Sequence, residues 1–265
     1  MACILAPGVA AGAELVIPGS GNPEHVLGEL AREFNARQKE HRVAIPPSTG
    51  IAGGIRDVLS GKAVLGRVGR PLTDEERSRG LAFVPIGRDA LVFVAGSAVS
   101  VRGVTSARMA DAFAGRITDW RELGGRPGPI RAIGRESGDS SRKILASRFD
   151  GFRDISYGPG VKVVLSDPQA LDLLDRFDAS LGFLNRSAVH GARTKVVLLA
   201  LDGVEPTPAN LESGRYPVWL ELGLIHKTGA APAGAARAFL DFIASPDGIR
   251  ILRDHGVLPF RGGSR

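Results

Sequence analysis

Cysteine and aromatic residues are scarce in this sequence, and each scarcity disfavours a class of function. A single cysteine, Cys3, occurs in 265 residues, so the chain can form neither an internal disulfide bond nor a thiolate metal site beyond that residue. Aromatic residues make up 6% of the chain and are not interleaved with a Lys/Arg block, which disfavours nucleic-acid binding despite a net charge of +6. We therefore expect a small anion or an acidic surface as the partner.

Long apolar runs are also missing. None approaches the ~20 residues that a membrane-spanning helix needs, so we expect a protein that is peripheral to the membrane at most. Residues 1–13 are apolar and end in small residues, as the end of a secretory signal does, but they contain no basic region. We interpret them as a truncated export signal, or alternatively as a frayed extension. On the first interpretation the protein is exported to a periplasmic or extracellular location.

Neither a metal site nor a cofactor is predicted. The histidines lack His or Cys partners at ligand spacing, which favours surface or capping roles. They are His25, His41, His190, His226 and His255. The Walker-type phosphate loop and the dinucleotide fingerprint are both incomplete, because residues 54–62 lack the first glycine and the final Ser/Thr, and residues 19–21 lack the third glycine.

Short apolar runs followed by small-residue turns and helical patterns recur along the chain. Strands are predicted at residues 14–17, 42–45 and 130–133, and each is followed by a turn rich in Gly, Ser or Thr. Alternation of strands with short helices predicts an α/β fold with largely parallel sheets. In such folds ligands bind beyond the carboxyl ends of the strands, where these turns lie.

The third of these turns carries the strongest chemical pattern. Ser137, Ser140 and Ser141, with Gly138 between them, can aim hydroxyl and backbone N–H groups at one point outside a helix N-terminus, which is a cradle for an anion. Arg135 can add a bidentate grip on an oxyanion. An ordinary capped helix explains the same residues equally well, because Ser and Asp are favoured N-cap residues.

An enzymatic interpretation also exists. Ser140 and Lys143 fit Ser-x-x-Lys, and residues 227–229 read Lys-Thr-Gly, two elements of serine acyl-transferases. The Ser-Asp-Asn element is missing, and the nucleophile would lie past the middle of the chain. We therefore expect no enzyme activity, with a serine hydrolase or acyl-transferase that uses Ser140 and Lys143 kept as the alternative.

Taken together, several segments resemble the phosphate-binding proteins of ABC importers. The resemblance lies in their order and spacing rather than in one motif, and it covers most of residues 14–260. Besides the three turns, the segments are residues 69–76, 115–120, 134–138, 179–183 and 216–217.

This resemblance implies a two-lobed type II periplasmic-binding-protein fold. Each lobe would be a mixed, largely parallel sheet flanked by helices, and the lobes would close over one ligand. Residues 14–95 plus 215–265 would form the first lobe and residues 96–214 the second. The implied function is capture of phosphate or a related small oxyanion for an ABC permease, without chemistry, by a protein expected to be a monomer.

The resemblance also implies which residues contact the ligand. They match the family's three binding turns position by position. They are Ser20, Gly21 and Asn22 in the first turn, Ser48, Thr49 and Gly50 in the second, and Arg135, Gly138, Asp139, Ser140 and Ser141 in the third.

Two departures from the family pattern bear on the ligand. The aspartate that accepts a proton from phosphate in well-known members is replaced by Gly69, and Asp139 places a carboxylate where an oxyanion is expected. Like charges at that range disfavour each other. Either Asp139 caps the helix and leaves Ser140 and Ser141 to bind, or it replaces the lost acceptor and favours a protonated oxyanion. A different small anion or carboxylate therefore remains an alternative ligand.

Overall fold

The protein was analysed as a computed structural model that describes residues 14–190, 192 and 194–260. The predicted leader at residues 1–13 lies outside this range, as does Cys3. Within the described range, the chain alternates between short strands and helices from its start to its end.

Eleven strands are described. They are β1 (Leu15–Val16), β2 (Val43–Ala44), β3 (Gly66–Val68), β4 (Leu81–Ala95), β5 (Gly103–Val104), β6 (Arg131–Arg135), β7 (Lys162–Val164), β8 (Ser180–Asn185), β9 (Val197–Leu201), β10 (Trp219–Lys227) and β11 (Leu258–Pro259).

Eleven α-helices and one 3-10 helix at Trp120–Leu123 lie between the strands. The α-helices are α1 (Glu24–Arg37), α2 (Gly50–Leu59), α3 (Asp74–Ser78), α4 (Ser106–Phe113), α5 (Ser140–Arg148), α6 (Asp150–Arg153), α7 (Asp167–Arg176), α8 (Arg186–His190), α9 (Pro208–Glu212), α10 (Gly234–Ala244) and α11 (Pro246–Asp254).

Strand β4 connects the two ends of the main sheet. Its first part, from Leu81 to Ala90, pairs with β10 and β11, and its last part, from Leu91 to Ala95, pairs with β8 and β9. All of these pairings are antiparallel. Beyond β8 the sheet continues through β6 to β7 in parallel register, whereas β10 pairs on its other side with β3. Strands β1 and β2 form a separate parallel pair.

The α/β fold is as predicted, but the sheets are more mixed than the sequence suggests. Residues 81–86 and 90–95 are two apolar runs, each typical of a separate strand, and the structure has one strand through both. Gly87, near the middle of this strand, packs against β11 so closely that a Cβ there would be 2.6 Å from the Leu258 oxygen. The polar stretch 202–214 has the composition of a linker, but it contains α9, whose N-cap Thr207 accepts a hydrogen bond from Asn210 N.

The helices form where the sequence signals them. Val26, Leu27, Leu30 and Phe34 recur at helical spacing and are all buried on one face of α1. At α3, Thr73 and Glu76 form the reciprocal capping box that their three-residue spacing predicts. The buried faces of most helices pack on the β4-centred sheet in one large apolar core, and α2 packs with β3 in a smaller second cluster. These packed helices fix the positions of the turns that precede them.

Candidate functional site

The three small-residue turns meet in space. The backbone N–H of Thr49 and the hydroxyl of Ser48 both donate to the oxygen of Gly19, at 3.0 and 3.2 Å, which joins the second turn to the first. Asn22 Nδ2 donates to Ser141 Oγ at 2.7 Å and joins the first turn to the third, 119 residues away. The tertiary structure therefore assembles one polar site from segments far apart in the chain.

The second and third turns also approach each other. Gly50 has a φ of 69°, a conformation that favours glycine, and a side chain built there would lie 3.8 Å from Glu136 Oε1. Gly50 is the first residue of α2, whose N-cap Thr49 makes no side-chain cap. The N–H of Gly50 donates to Ser48 Oγ at 3.2 Å, and the Thr49 side chain caps none of the N–H groups that follow, so the start of α2 retains donors that favour an anion.

Arg67 organises the first two turns although sequence reasoning did not identify it. Its guanidinium is fully buried and donates to the backbone oxygens of Ile17 and Ser20, at 2.5 and 2.7 Å, and to that of Pro46 at 2.7 Å. Glu24 supplies the counter-charge at 3.1 Å. Burial lowers the pKa of Arg67 to about 10, against the opposing effect of Glu24, so it stays charged at neutral pH. Arg67 is therefore part of the scaffold under the site.

Asn22 is the centre of the contact between the first and third turns. Its side chain is fully buried, accepts from Ser20 Oγ at 2.9 Å, and donates to Ser141 and, at 3.3 Å, to Asn185 Oδ1. Gly69 makes room for it, because a Cβ at position 69 would lie 2.8 Å from Asn22 Oδ1. Gly69 and Asn22 are therefore linked sterically. Gly69 is the position where the resemblance implies an aspartate, and Asn22 belongs to the first turn.

Arg135 is held by two carboxylates rather than left free for a ligand. Its guanidinium donates to Asp139 Oδ2 at 2.7 Å, to Asp167 Oδ1 and to the Leu165 oxygen. The other oxygen of Asp139 accepts from Ser141 N at 2.8 Å and so caps α5. Of the two roles predicted for Asp139, the structure shows the capping role. The remaining Asp167 oxygen accepts from Asn185 N at 3.0 Å.

This buried cluster carries more negative than positive charge when both aspartates are ionised. Burial raises the pKa of Asp167 to about 7, and the nearby Arg135 offsets this only in part. Burial would lower the pKa of Arg135, but Asp167 and Asp139 outweigh that effect and raise it above its usual value. Burial likewise raises the pKa of Asp89 to about 6, against hydrogen bonds from Ser187. Arg135 therefore stays charged, and its charge is balanced by Asp139 and Asp167 inside the protein.

Ser140 is the hydroxyl that remains available. It is 3% exposed, and its Oγ has no hydrogen-bond partner among the described residues, which is costly unless a ligand or solvent fills the role. Ser140 is the first residue of α5 and lines a cavity of about 320 Å³ that also borders Gly69 and Trp219. Ser140 thus lies where the third turn borders a cavity.

The other predicted residues have different environments. Gly21 packs against the segment before α7, where a Cβ added at position 21 would lie 2.7 Å from the Leu165 oxygen. Gly138 is exposed, and a Cβ there would meet nothing within 4 Å. Ser48 accepts from Gly50 N at 3.2 Å and shapes its own turn. The structure therefore brings Ser20, Asn22, Ser140 and Ser141 together, whereas Gly138 lies at the edge.

Sequence reasoning missed Asp167, Asn185 and Asp89 as well as Arg67. Arg67 lies in β3 and Asp89 in β4. A charged residue inside a buried strand is the sequence feature that could have identified these two residues. Asp167 follows the N-cap Ser166 at the start of α7, but nothing in the sequence pairs it with Arg135.

The enzymatic interpretation gains no support from this geometry. An activated serine nucleophile needs a base within hydrogen-bond reach, and Ser140 Oγ makes no bond to Lys143.

Among residues 14–190, 192 and 194–260, no group of three or more His, Cys, Asp or Glu side chains is arranged to hold a metal ion. The helices in the same range are all too short or too polar to cross a bilayer.

Comparison with known proteins agrees with this architecture. The family model of the PBP superfamily domain matches residues 6–247, so the chain belongs to the PBP superfamily. The phosphate-binding protein PstS of Bacillus subtilis is 25% identical over 263 residues, covering 94% of this chain and 81% of the relative. PstS of Borreliella burgdorferi is 22% identical over 248 residues, covering 91% and 88%.

A solved structure shares the fold over nearly the full length. It is that of a Clostridium perfringens protein described as a phosphate ABC transporter substrate-binding protein with bound phosphate. It superposes with a TM-score of 0.80 at 23% identity and covers 94% of this chain and 100% of its own. The type II fold expected from the sequence is thereby confirmed.

Proposed function

We propose that this protein captures a small oxyanion of the phosphate class and delivers it to an ABC permease. The contact between Asn22 and Ser141 carries the proposal, because it brings turns separated by 119 residues around the unpartnered hydroxyl of Ser140. The Ser140 hydroxyl and the start of α2, where Thr49 makes no side-chain cap, suit an oxyanion better than a cation. The related PstS proteins, named as phosphate-binding, support the same ligand class.

We further propose that the two lobes are residues 14–95 plus 215–265 and residues 96–214. Strand β4 supports a division close to this one, since its pairing partners change from β10 and β11 to β8 and β9 near Leu91, a few residues before the boundary proposed at residue 95. On this division, Asn22 lies in one lobe and Ser141 in the other, so their hydrogen bond belongs to a closed arrangement. Opening of the cleft would break it and expose Ser140 to solvent.

Export to the periplasm or the cell exterior, and a monomeric state, belong to the same proposal. Both rest on the similarity to PstS proteins and on the apolar residues 1–13 rather than on a feature of the site. Such a protein binds and releases its ligand without chemical change, so no turnover is expected on ester or β-lactam probes.

Calorimetric titration of the ligand-stripped protein tests the oxyanion proposal. Phosphate, sulfate, molybdate and small carboxylates would be compared at one pH and ionic strength. We expect saturable binding of a tetrahedral oxyanion, weakened roughly tenfold or more in S140A, because a hydrogen bond to a charged group contributes about 1.5–3 kcal/mol. Saturable binding of carboxylates alone would refute the proposal.

The matched control is S213A. Ser213 is exposed at the end of α9, where its hydroxyl donates to the Ala209 oxygen at 2.8 Å, so its loss removes a hydroxyl outside the site. We expect wild-type affinity in S213A. Equal weakening in both variants would show that Ser140 has no specific role.

A further inference from the structure

We propose that Arg148 and Trp219 form a cation–π clasp between the two lobes and thereby act as positioning residues for ligand capture. The inference rests on the proposed function and on the lobe division proposed with it. It concerns what holds the cleft closed rather than which anion enters. Its basis is the Arg148 guanidinium, whose carbon lies over the Trp219 ring at 5.1 Å from the centroid.

Helix α5 connects this contact to the ligand site. The helix begins at Ser140 and ends at Arg148, so the two residues lie about 12 Å apart along its axis. Residues 140, 144 and 148 are spaced four apart and therefore follow one another along one side of the helix. Because its guanidinium lies at the far end of α5, Arg148 acts on an anion at Ser140 through the position of the helix rather than by contact.

The two partners belong to different lobes. Trp219 is the first residue of β10, which pairs with the first part of β4, whereas α5 lies within residues 96–214. The Arg88 guanidinium, from the same lobe as Trp219, lies 5.5 Å from the centroid of the Trp219 ring and 5.7 Å from that of Phe260. Trp219 is thus positioned by its own lobe, and Arg148 makes the contact that crosses the cleft.

Arg148 has little else to do in the fold. It is exposed, and within residues 14–190, 192 and 194–260 it makes no ion pair and no side-chain hydrogen bond. Arg142 of the same helix, by contrast, donates to the Ile155 oxygen at 2.7 Å. Tryptophan is the best aromatic partner for a guanidinium. Because the clasp exists only when the lobes meet, it stabilises the closed form and raises the apparent affinity for the ligand.

The chain offers a matched control within one lobe. The Arg131 guanidinium lies over the Phe177 ring, also at 5.1 Å, and Arg131 is likewise exposed. Both of these residues belong to residues 96–214, so their contact is present whether the cleft is open or closed. R131M therefore removes a surface arginine and a cation–π pair without touching the contact between the lobes.

The test compares the ligand-stripped wild type with R148M and R131M by calorimetry, using whichever of phosphate, sulfate and molybdate the wild type binds most tightly. An ionic strength of about 0.15 M screens exposed charges that are more than about 8 Å apart. We expect R148M to bind about two- to fivefold more weakly, which is the size of an exposed cation–π contribution, and R131M to bind as the wild type does. Stopped-flow kinetics should show faster dissociation in R148M, because the clasp forms after the anion has entered.

A double-mutant cycle separates the clasp from the charge of Arg148. W219L removes the ring and keeps the charge, so R148M should cost little further affinity in the W219L background. An undiminished cost there would mean that Arg148 acts by long-range electrostatics and would overturn the inference. R148M alone remains informative if W219L folds poorly, because Arg148 is exposed whereas Trp219 is half-buried.

Tryptophan fluorescence supplies a readout of closure. Adding the oxyanion should change the Trp219 emission in the wild type, and R148M should reduce that change at saturating ligand. The other tryptophan, Trp120, is buried elsewhere and donates to the Ala179 oxygen at 2.9 Å. A W219F variant identifies the source of the signal.

The outcomes separate the two proposals. Wild-type affinity and dissociation rate in R148M would overturn this inference and leave the oxyanion function intact. Equal weakening in R148M and R131M would show a general effect of lost positive charge and would also overturn the inference. Absence of saturable oxyanion binding by the wild type would overturn both proposals.

Discussion

The first and third turns each rest on a fully buried arginine, and the two arginines act in different ways. Arg67 donates mainly to backbone oxygens, with Glu24 as its single carboxylate partner. Arg135 pairs with Asp139 and Asp167, and its guanidinium also donates to the Leu165 oxygen. The first arginine fixes the course of the chain, and the second compensates charge. Buried arginine in an anion-binding cleft is therefore not by itself evidence of a ligand contact.

The largest expected effect comes from removing Arg67. R67M leaves the oxygens of Ile17, Ser20 and Pro46 without this donor, and a buried unsatisfied acceptor costs about 1–3 kcal/mol. We expect the free energy of unfolding to fall by about 4 kcal/mol or more in urea titrations. Three of the four abandoned acceptors are uncharged backbone oxygens and the fourth is the Glu24 carboxylate, so the loss should change less with pH than the loss caused by removing Arg135.

The exposed Arg42, paired with Glu14 at 3.2 Å, supplies the control. R42M should cost at most about 1 kcal/mol, as surface pairs do. An R67M loss as small as that of R42M would contradict the scaffold role.

Removing Arg135 should cost about 3–5 kcal/mol near pH 7.5, because a buried charge pair is broken from one side. The loss in R135M should shrink toward pH 5. Asp167 already has a pKa raised to about 7 in the folded protein, and without Arg135 its pKa would rise further above the unfolded value near 3.9. A group with a raised folded pKa stabilises the protein at low pH and loses that contribution as pH rises through the folded pKa.

The triple variant R135M/D139N/D167N tests whether charge is the cause. It removes both carboxylates and keeps an N-cap side chain at position 139, so it should be more stable than R135M at pH 7.5. If R135M lost stability equally at pH 5 and 7.5, the contrast with Arg67 would be wrong.

A smaller effect is expected where the two turns meet. G69A places a Cβ 2.8 Å from Asn22 Oδ1, so Asn22 must shift away from Ser141. We expect a loss of about 1–3 kcal/mol, as overpacking usually gives. In an N22A background the contact with Oδ1 is absent and the 3.1 Å contact with the Cβ of residue 22 remains, so the added cost of G69A should fall in a double-mutant cycle. Additive losses would show that Gly69 and Asn22 are independent.

Much of the local structure could be predicted because its causes are local. Helix α1 follows from the spacing of its apolar residues, and α3 from the capping box of Thr73 and Glu76. The positions of the three turns follow from apolar runs that end in small residues. The continuity of β4 could not be predicted, because its middle is paired by β10 and β11 from the far end of the chain.

The sequence by itself determined the α/β fold, the resemblance to phosphate-binding proteins and the residues gathered in the turns, because these depend on periodicity, turn chemistry and motif order. Only the tertiary structure decided what the polar residues contact. Arg135 has the position of an anion ligand in the sequence, and Asp167, 32 residues away, holds it instead. Long-range pairing also left the Ser140 hydroxyl without a partner among the residues that the structure describes. Burial and pairing depend on which segments meet, and no local pattern encodes that.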